Sequence, residues 1–216
     1  MGNADFKIRR CAPRDEAAVY DVCLKTGNAG EDATDLHDDP RALGHIYVGP
    51  YVHLEPNLAF VLEDEIGVCG YVLGALDSAE FYHAYLTQWL PPIRGKYPEP
   101  TGDPARWTPT QKIYHEYYHP DIFYPQPISE YPSHMHIDLL PRAQGKGWGA
   151  KMVNTLLEEL KRRDSSGVHL ALNAANHRAA RFYQRLGFCE LARAEDTIYM
   201  GKRLKSATPG KAGGLK

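Results

Sequence analysis

The residues whose types and spacing point most directly to chemistry form a glycine-rich turn, Gln144-Gly145-Lys146-Gly147-Trp148-Gly149. It lies between a strand-like segment and a helical pattern. At such a junction the first backbone N–H groups of the helix have no partner inside the helix, and the helix dipole is positive there. Glycines also let an anion approach the backbone closely. The turn therefore predicts a site for a phosphate or pyrophosphate group.

Two common phosphate-binding motifs do not fit this turn. A Walker A loop requires Gly-Lys-Ser/Thr, but here Lys146 is followed by Gly147. A dinucleotide fingerprint requires G-x-G-x-x-G and an acidic residue at the end of the next strand, where Asn173 stands. The spacing therefore disfavours both a nucleotide hydrolase and a dinucleotide-binding oxidoreductase.

A second candidate set consists of His134, His136 and Asp138, which alternate along one segment. Alternate residues of a strand share a face. Imidazole titrates near ~6.5, so two histidines with an aspartate can move a proton at physiological pH. We expect His136 to be a general base that opens toward a substrate amine. An inert, hydrogen-bonded strand face is the alternative.

The segment His115-Glu116-Tyr117-Tyr118-His119 matches the H-E-x-x-H pattern of zinc proteases. Its context argues against that activity, because Pro120 disfavours helix at His119 and no G-x-x-H continuation follows. The downstream acid Glu130 falls in a proline-rich loop. We expect no metal, and we interpret these residues as a polar, aromatic wall of an acceptor site.

The elements that must position these residues follow from the patterns along the chain. Apolar and β-branched runs predict strands at residues 6–11, 58–62, 67–76, 134–140, 168–172, 188–192 and 197–200. Apolar spacing and capping residues predict helices from residue 13, at 40–47, 78–89, 108–118 and 149–163, and at 176–186. Strands alternating with helices indicate an α/β fold.

Composition bounds the class of protein. The chain has 216 residues, 43% hydrophobic and 24% charged, with a net charge of −2, so nucleic-acid binding is disfavoured. Its longest nearly uncharged apolar stretch, residues 67–76, is about half of the ~20 residues that a bilayer span needs. We expect a cytoplasmic protein with no membrane association. Four cysteines without a C-x-x-C pair are expected to be reduced.

We expect one domain over residues 1–204 and a disordered tail over residues 205–216. Residues 77–131 form an insertion that carries eight of the fourteen tyrosines. Aromatic side chains at this density suit amines, sugars or flat rings. The insertion is interpreted as a lid or a homodimer surface, with simple packing as the alternative.

The glycine-rich turn also carries a family resemblance. Gln144, Gly147 and Gly149 fit the Q/R-x-x-G-x-G/A loop of the GCN5-related N-acetyltransferases (GNAT), and residues 176–188 resemble that family's N-x-x-A-x-x-x-Y-x-x-x-G-F segment. The stretch around His134 and the aromatic insertion most resemble bacterial relatives of the acetyltransferase-like C-terminal domain of O-GlcNAcase.

The resemblance implies a GNAT fold, with a mixed, centrally splayed sheet, helices on both faces, and the insertion between the third and fourth strands. It implies acetyl-CoA as cosubstrate in the opening between residues 134–140 and 168–173. Tyr183 would protonate the leaving thiolate. The residues implied to bind the cofactor are Leu139, Leu140, Gln144, Gly145, Lys146, Gly147, Trp148, Gly149, Ala150 and Asn176.

The implied reaction is transfer of acetyl to a primary amine by direct attack, with neither a metal nor a covalent intermediate required. A protein lysine, an aminoglycoside and a free amino sugar all remain open as acceptors, and the enclosed insertion favours a small molecule. The competing hypothesis is a non-catalytic acetyl-CoA-binding or protein-interaction module, because acetyltransferase-like domains near O-GlcNAcase can lose catalysis.

Overall fold

The computed structural model describes residues 5–126, 128–194 and 196–204. Within them, seven strands form one sheet in the order β1-β2-β3-β4-β5-β7-β6. Its strands are β1 (Lys7–Arg10), β2 (Ala59–Asp64), β3 (Gly67–Ala75), β4 (Ser133–Leu139), β5 (Gly167–Asn173), β6 (Cys189–Arg193) and β7 (Thr197–Arg203). The β4–β5 pair is parallel and the other five pairs are antiparallel. The tail expected to be disordered, residues 205–216, lies outside the described residues.

Eight α-helices accompany the sheet in the described part of the chain. They are α1 (Glu16–Leu24), α2 (Ala42–Tyr47), α3 (Gly49–Leu54), α4 (Ser78–Ala84), α5 (Leu90–Arg94), α6 (Pro109–Tyr118), α7 (Trp148–Arg162) and α8 (His177–Arg185). The sequence pattern missed α3, because Gly49-Pro50 reads as a break although proline fits the first turn of a helix. None of these helices is both long and apolar enough to cross a bilayer.

Helices cover both faces of the sheet, as the sequence resemblance implies. On one face, Gly74 of β3 has no side chain, and a Cβ there would lie 2.8 Å from Leu156 of α7. Tyr71, at an odd position of the same strand, contacts Cys23 of α1 on the other face. Because adjacent strand residues point to opposite sides, α1 and α7 sandwich the sheet. This face assignment puts Tyr71, His136 and Asp138 on the α1 side.

The sheet splays between β4 and β5. Their parallel pairing comprises Ser133↔Val168 and His134↔His169, at the beginning of both strands. Both strands continue beyond those pairs, to Leu139 and Asn173. A cleft therefore opens between the carboxyl halves of β4 and β5, which confirms the splayed sheet.

The insertion lies between β3 and β4, as expected. A π-helical turn, Tyr85–Trp89, joins α4 to α5, so the predicted helix over 78–89 continues to Arg94 with an expanded turn in its middle. The cap of α4 is Asp77, whose carboxylate accepts from the N–H groups of Ala79 and Glu80. The helix begins at Ser78, as the sequence predicts, and the residue before it supplies the cap.

Candidate active site

The cleft exposes backbone groups of β4. The N–H of Leu140 donates to the carbonyl of Cys69 at 2.8 Å, on the β3 side. Because successive residues of a strand direct their backbone groups to opposite edges, those of Ile137 and Leu139 face the β5 side. There β5 has already diverged, so the backbone groups of Ile137 and the N–H of Leu139 are available to an extended, amide-containing molecule. Sequence reasoning named Leu139 and Leu140 but missed Ile137, which the strand period alone could have identified.

The glycine-rich turn follows β4 directly and has the geometry of an anion site. Gly145 and Gly147 have φ values of +72° and +80°, in the left-handed region that favours glycine. The first hydrogen bond of α7 runs from the N–H of Lys151 to the carbonyl of Gly147, at 3.2 Å. The three α7 residues before Lys151 therefore have no carbonyl within the helix to which their N–H groups can donate. Their N–H groups, on Trp148, Gly149 and Ala150, point out of the N-terminus. An anion placed there would meet several donors at once.

Side chains around the turn hold its shape and add positive charge. The Gln144 amide donates to the carbonyl of Leu139 at 2.7 Å, which ties the turn to the end of β4. The Lys146 ammonium lies 5.0 Å from the ring centroid of Phe6, and Lys151 lies 3.8 Å from that of Trp148. Lys151 was not singled out from the sequence, since a lysine in the first turn of a helix carries no motif of its own.

Asn176 lies on the opposite side of the cleft, at the start of α8. Its side-chain oxygen accepts from the N–H of Ala179 at 3.0 Å and caps the helix. Its amide nitrogen donates to the carbonyl of Ala29 at 3.3 Å, in the loop between α1 and α2. One side chain thus joins α8 to a distant loop, and its expected contact with the cofactor arm stays a prediction.

A histidine beside a carboxylate lies on β4. The Nε2 of His136 lies 3.1 Å from Oδ2 of Asp138, and the two side chains are 32% and 23% exposed. The Tyr71 hydroxyl donates to the same Oδ2 at 2.5 Å. A carboxylate accepts hydrogen bonds, so its position beside Nε2 favours the tautomer that carries the proton on Nε2 and the lone pair on Nδ1. The ring stacks between Tyr47 and Tyr71, at centroid distances of 5.7 and 6.0 Å.

His134 lies on the same strand face in a different environment. It is buried, and its Nδ1 lies 2.8 Å from the hydroxyl oxygen of Ser78. Burial lowers the pKa of His134 well below its ordinary value, and the neighbouring His169 acts in the same direction. His134 is therefore neutral and does not contact the His136–Asp138 pair. Its Nε2 has no hydrogen-bond partner among the described residues.

Tyr183 lies in α8 and is 8% exposed. Its ring packs against Phe182 and Phe188 at centroid distances of 5.2 and 5.6 Å. Burial raises the pKa of the Tyr183 hydroxyl, and the charge of Asp138 raises it further. The hydroxyl is therefore protonated at neutral pH and can act as a proton donor.

A cavity of about 300 Å³ lies where the insertion covers the diverging strands. Its floor includes Met135 and His136 of β4 together with Leu170 and Ala171 of β5, directly beyond the last β4–β5 pair. The cavity therefore meets the cleft at His136. Its aromatic wall consists of Tyr47, Tyr51, Phe81, Tyr82, Tyr85, Phe123 and Tyr199.

Two carboxylates stand in this aromatic wall, Glu116 of α6 and Asp121. Burial raises the pKa of Glu116 to about 7, and the charge of Asp121 contributes. Of the H-E-x-x-H segment that was expected to form a polar, aromatic wall, Glu116 alone lines this cavity. Tyr117 and Tyr118 instead donate to the carbonyls of Ala42 and Arg94. His115 and His119 instead contact Glu99. Sequence reasoning gave Glu116 no separate role, because its neighbours in the cavity come from distant parts of the chain.

Comparison with known proteins extends these observations. The sequence model of the Acetyltransferase (GNAT) family matches residues 113–188. Protein O-GlcNAcase of Rattus norvegicus is 29% identical over 204 residues, which cover 92% of this chain and 22% of that protein. Protein O-GlcNAcase of Mus musculus gives the same values. The chain thus spans about a fifth of the length of these mammalian relatives.

Two solved structures are similar to this protein over nearly the whole chain. SsHAT is 40% identical with a TM-score of 0.86, over 93% of this chain and 98% of that one. The Salmonella typhimurium protein yncA, a putative acetyltransferase solved with its cofactor acetyl-CoA, is 17% identical with a TM-score of 0.54, over 98% of this chain and 100% of that one. The second likeness shows the fold alone, whereas the likeness to SsHAT extends the relationship to nearly every element.

Proposed function

Because the chain belongs to the GNAT family of acetyltransferases, we propose that it transfers the acetyl group of acetyl-CoA directly to a primary amine on a small molecule bound in the aromatic cavity. One observation carries the proposal. The cavity is lined by Met135 and His136 of β4 and by Leu170 and Ala171 of β5, where the two strands separate. An acceptor in the cavity and a thioester in the cleft would therefore meet beside His136.

The proposed acetyl-CoA site consists of the cleft and the glycine-rich turn. The pyrophosphate is held by the free N–H groups at the start of α7, with Lys146 and Lys151 nearby. The pantetheine amides pair with the cleft-facing backbone of Ile137 and Leu139. This arrangement leads the thioester along β4 toward Tyr183 and His136.

The chemistry then needs one base and one acid. A primary amine is mostly protonated at neutral pH and must lose a proton before it attacks. Nδ1 of His136 takes that proton, while Asp138 holds the ring and stabilises the imidazolium. The amine nitrogen forms a bond to the thioester carbon, the carbon–sulfur bond breaks, and the Tyr183 hydroxyl protonates the thiolate. The nitrogen then gives up its second proton, which returns to Tyr183 through solvent, while the first proton leaves from His136. The products are the N-acetylated amine and CoA.

The acceptor class follows from the cavity. Its volume of about 300 Å³ is at the lower end of small-molecule sites. Aromatic faces favour a flat ring, a sugar face or a cation. When ionised, Glu116 and Asp121 attract an ammonium group. We therefore propose a compact amine, of the arylalkylamine or amino-sugar kind, in preference to a lysine within a folded protein.

The test is an acceptor panel with acetyl-CoA. Tyramine, glucosamine, an aminoglycoside and a lysine-containing peptide are each incubated with the full chain, and CoA release is followed by a thiol reagent with mass spectrometry of the product. Amine-dependent CoA release from a compact amine, lost in His136→Ala but retained in His83→Ala, supports the proposal. His83 is exposed on α4 and is not among the cavity-lining residues. Acetyl-CoA binding without acetylation of any amine would identify a non-catalytic binding module instead.

Initial rates distinguish direct attack from a covalent intermediate. Direct attack requires both substrates to be bound together, so double-reciprocal plots at several fixed amine concentrations should intersect. Parallel lines would indicate an acetylated enzyme and contradict the proposed mechanism.

A further inference from the structure

Three potential metal ligands converge on the outer side of the insertion, apart from the cavity. They are Glu99, in the segment between α5 and α6, and His115 and His119 at the end of α6. The Glu99 oxygen and one ring nitrogen of each histidine all lie within 4.8 Å of one another. Oε1 of Glu99 lies 2.6 Å from Nε2 of His119 and 3.5 Å from Nδ1 of His115.

The last turn of α6 sets the spacing of the two histidines. The N–H of His119 donates to the carbonyl of His115 at 3.1 Å, so the helical i, i+4 relation is kept although His119 is already the capping residue. The two rings lie 4.3 Å apart, centroid to centroid. The Trp107 ring packs at 4.9 Å from His115 and restricts it. The pair is thus arranged before any ligand binds.

The electrostatics of the cluster favour a cation at its centre. Nδ1 of His115 is inaccessible to solvent and has no hydrogen-bond partner among the described residues. It faces a carboxylate oxygen at 3.5 Å, too far for a hydrogen bond. Nδ1 of His115 is thus a buried polar atom that the described part of the chain leaves without a partner. A cation bound by Nδ1, Nε2 and Oε1 would give Nδ1 of His115 a partner and would replace the 2.6 Å hydrogen bond between His119 and Glu99.

We propose that Glu99, His115 and His119 bind a divalent transition-metal ion, for which Zn²⁺ is the best match. Two imidazoles and one carboxylate suit Zn²⁺, whereas Mg²⁺ and Ca²⁺ prefer oxygen ligands. Zn²⁺ bound at about 2.0–2.1 Å holds ligand atoms about 3.3 Å apart, so the Glu99–His119 contact opens slightly and the His115–Glu99 spacing fits as it stands. Three protein ligands leave the fourth position to water or to an external group.

The place of the site in the fold indicates a structural role. The ion joins the segment before α6 to the last turn of α6. That turn carries Glu116, and Pro120 and Asp121 follow it in the cavity wall. A bound ion would therefore stabilise one wall of the cavity without lying inside the cavity. The proposal does not depend on the acetyl-transfer mechanism.

The experiment titrates ZnCl₂ into the EDTA-treated, desalted full chain by calorimetry at pH 7.5, with thermal unfolding recorded in parallel. The expected result is one site of micromolar affinity, weakened at least tenfold in each of His115→Ala, His119→Ala and Glu99→Gln, and a Zn²⁺-dependent rise in Tm that these variants lose. His53→Ala is the matched control, since His53 pairs with the single carboxylate of Glu16 at 3.2 Å.

Two outcomes would overturn the metal site. One is wild-type binding weaker than millimolar. The other is the same affinity in wild type and in all three cluster variants. Because the side chains of Glu99, His115 and His119 are at least one third exposed, the variants are expected to fold, and circular dichroism checks this.

Discussion

His136 and Asp138, two residues apart on β4, form a side-chain pair with Nε2 and Oδ2 at 3.1 Å. The carboxylate oxygen that lies beside the imidazole also accepts a hydrogen bond from the hydroxyl of Tyr71 at 2.5 Å. Asp138 is thus held from the side of β3 while it orients the His136 ring. The proposed base would in this way present a defined nitrogen to the cavity.

Asp138→Asn should lower kcat about 10²–10⁴-fold, the range over which a positioned general base contributes. The asparagine keeps the shape of the side chain but loses the charge that stabilises the His136 imidazolium. The KM for acetyl-CoA should stay within about threefold, because Asp138 does not contact the phosphate turn. Steady-state kinetics test this, with Asp21→Asn on the exposed face of α1 as control. Unchanged kcat would contradict a catalytic role for the pair.

Tyr183→Phe should lower kcat by about tenfold and leave acetyl-CoA affinity unchanged. The effect is smaller than for Asp138→Asn because a thiolate, with pKa near ~8.5, needs little protonation to leave. Since burial raises the pKa of Tyr183, the wild-type rate should show no loss from its ionisation up to about pH 9. Rates and calorimetric titrations of the two proteins check both points. A Tyr183→Phe variant that is as fast as wild type would exclude Tyr183 as the acid.

Glu116 makes the stability of the free protein depend on pH. Burial raises its pKa to about 7, above the value of about 4.5 in the unfolded chain, so the folded state binds the proton more tightly. Stability from this group is fully present below pH 4.5 and is lost as pH rises through 7. Glu116→Gln should therefore match wild type near pH 4 and exceed it by up to about 3 kcal/mol at pH 8. Urea unfolding at four pH values measures the difference, and a difference independent of pH would contradict the burial of this acid.

Local patterns predicted the parts of the site that are contiguous in the chain. Alternation along β4 put His136 and Asp138 on one face, and the glycine spacing located the junction with α7. Contacts between distant segments left no local signal. Glu99 lies far enough from His115 in sequence that no motif joins them, and Tyr71 reaches Asp138 only through the register of β3 with β4.

Local sequence patterns also could not predict the length and course of the helices in the insertion. The π turn at Tyr85–Trp89 replaces ordinary helix without any proline or glycine inside it. Trp89 at its end donates to the carbonyl of His45, and such tertiary contacts select one helical form over another.

Calorimetric titration of acetyl-CoA into Gly147→Asp tests whether the turn after β4 holds the pyrophosphate of acetyl-CoA. Aspartate tolerates a left-handed backbone better than most residues, and a Cβ at Gly147 meets no atom within 4 Å, so the fold should be kept. Its charge would face the anion. Gly102→Asp is the matched control, because Gly102 has a φ of +90° and equally open space on the insertion.

Gly147→Asn separates charge from size at the same position. Acetyl-CoA binding should be weakened at least 100-fold in Gly147→Asp and by much less in Gly147→Asn. It should be unchanged in Gly102→Asp. Equal affinity of wild type and Gly147→Asp for acetyl-CoA would contradict a pyrophosphate site in this turn.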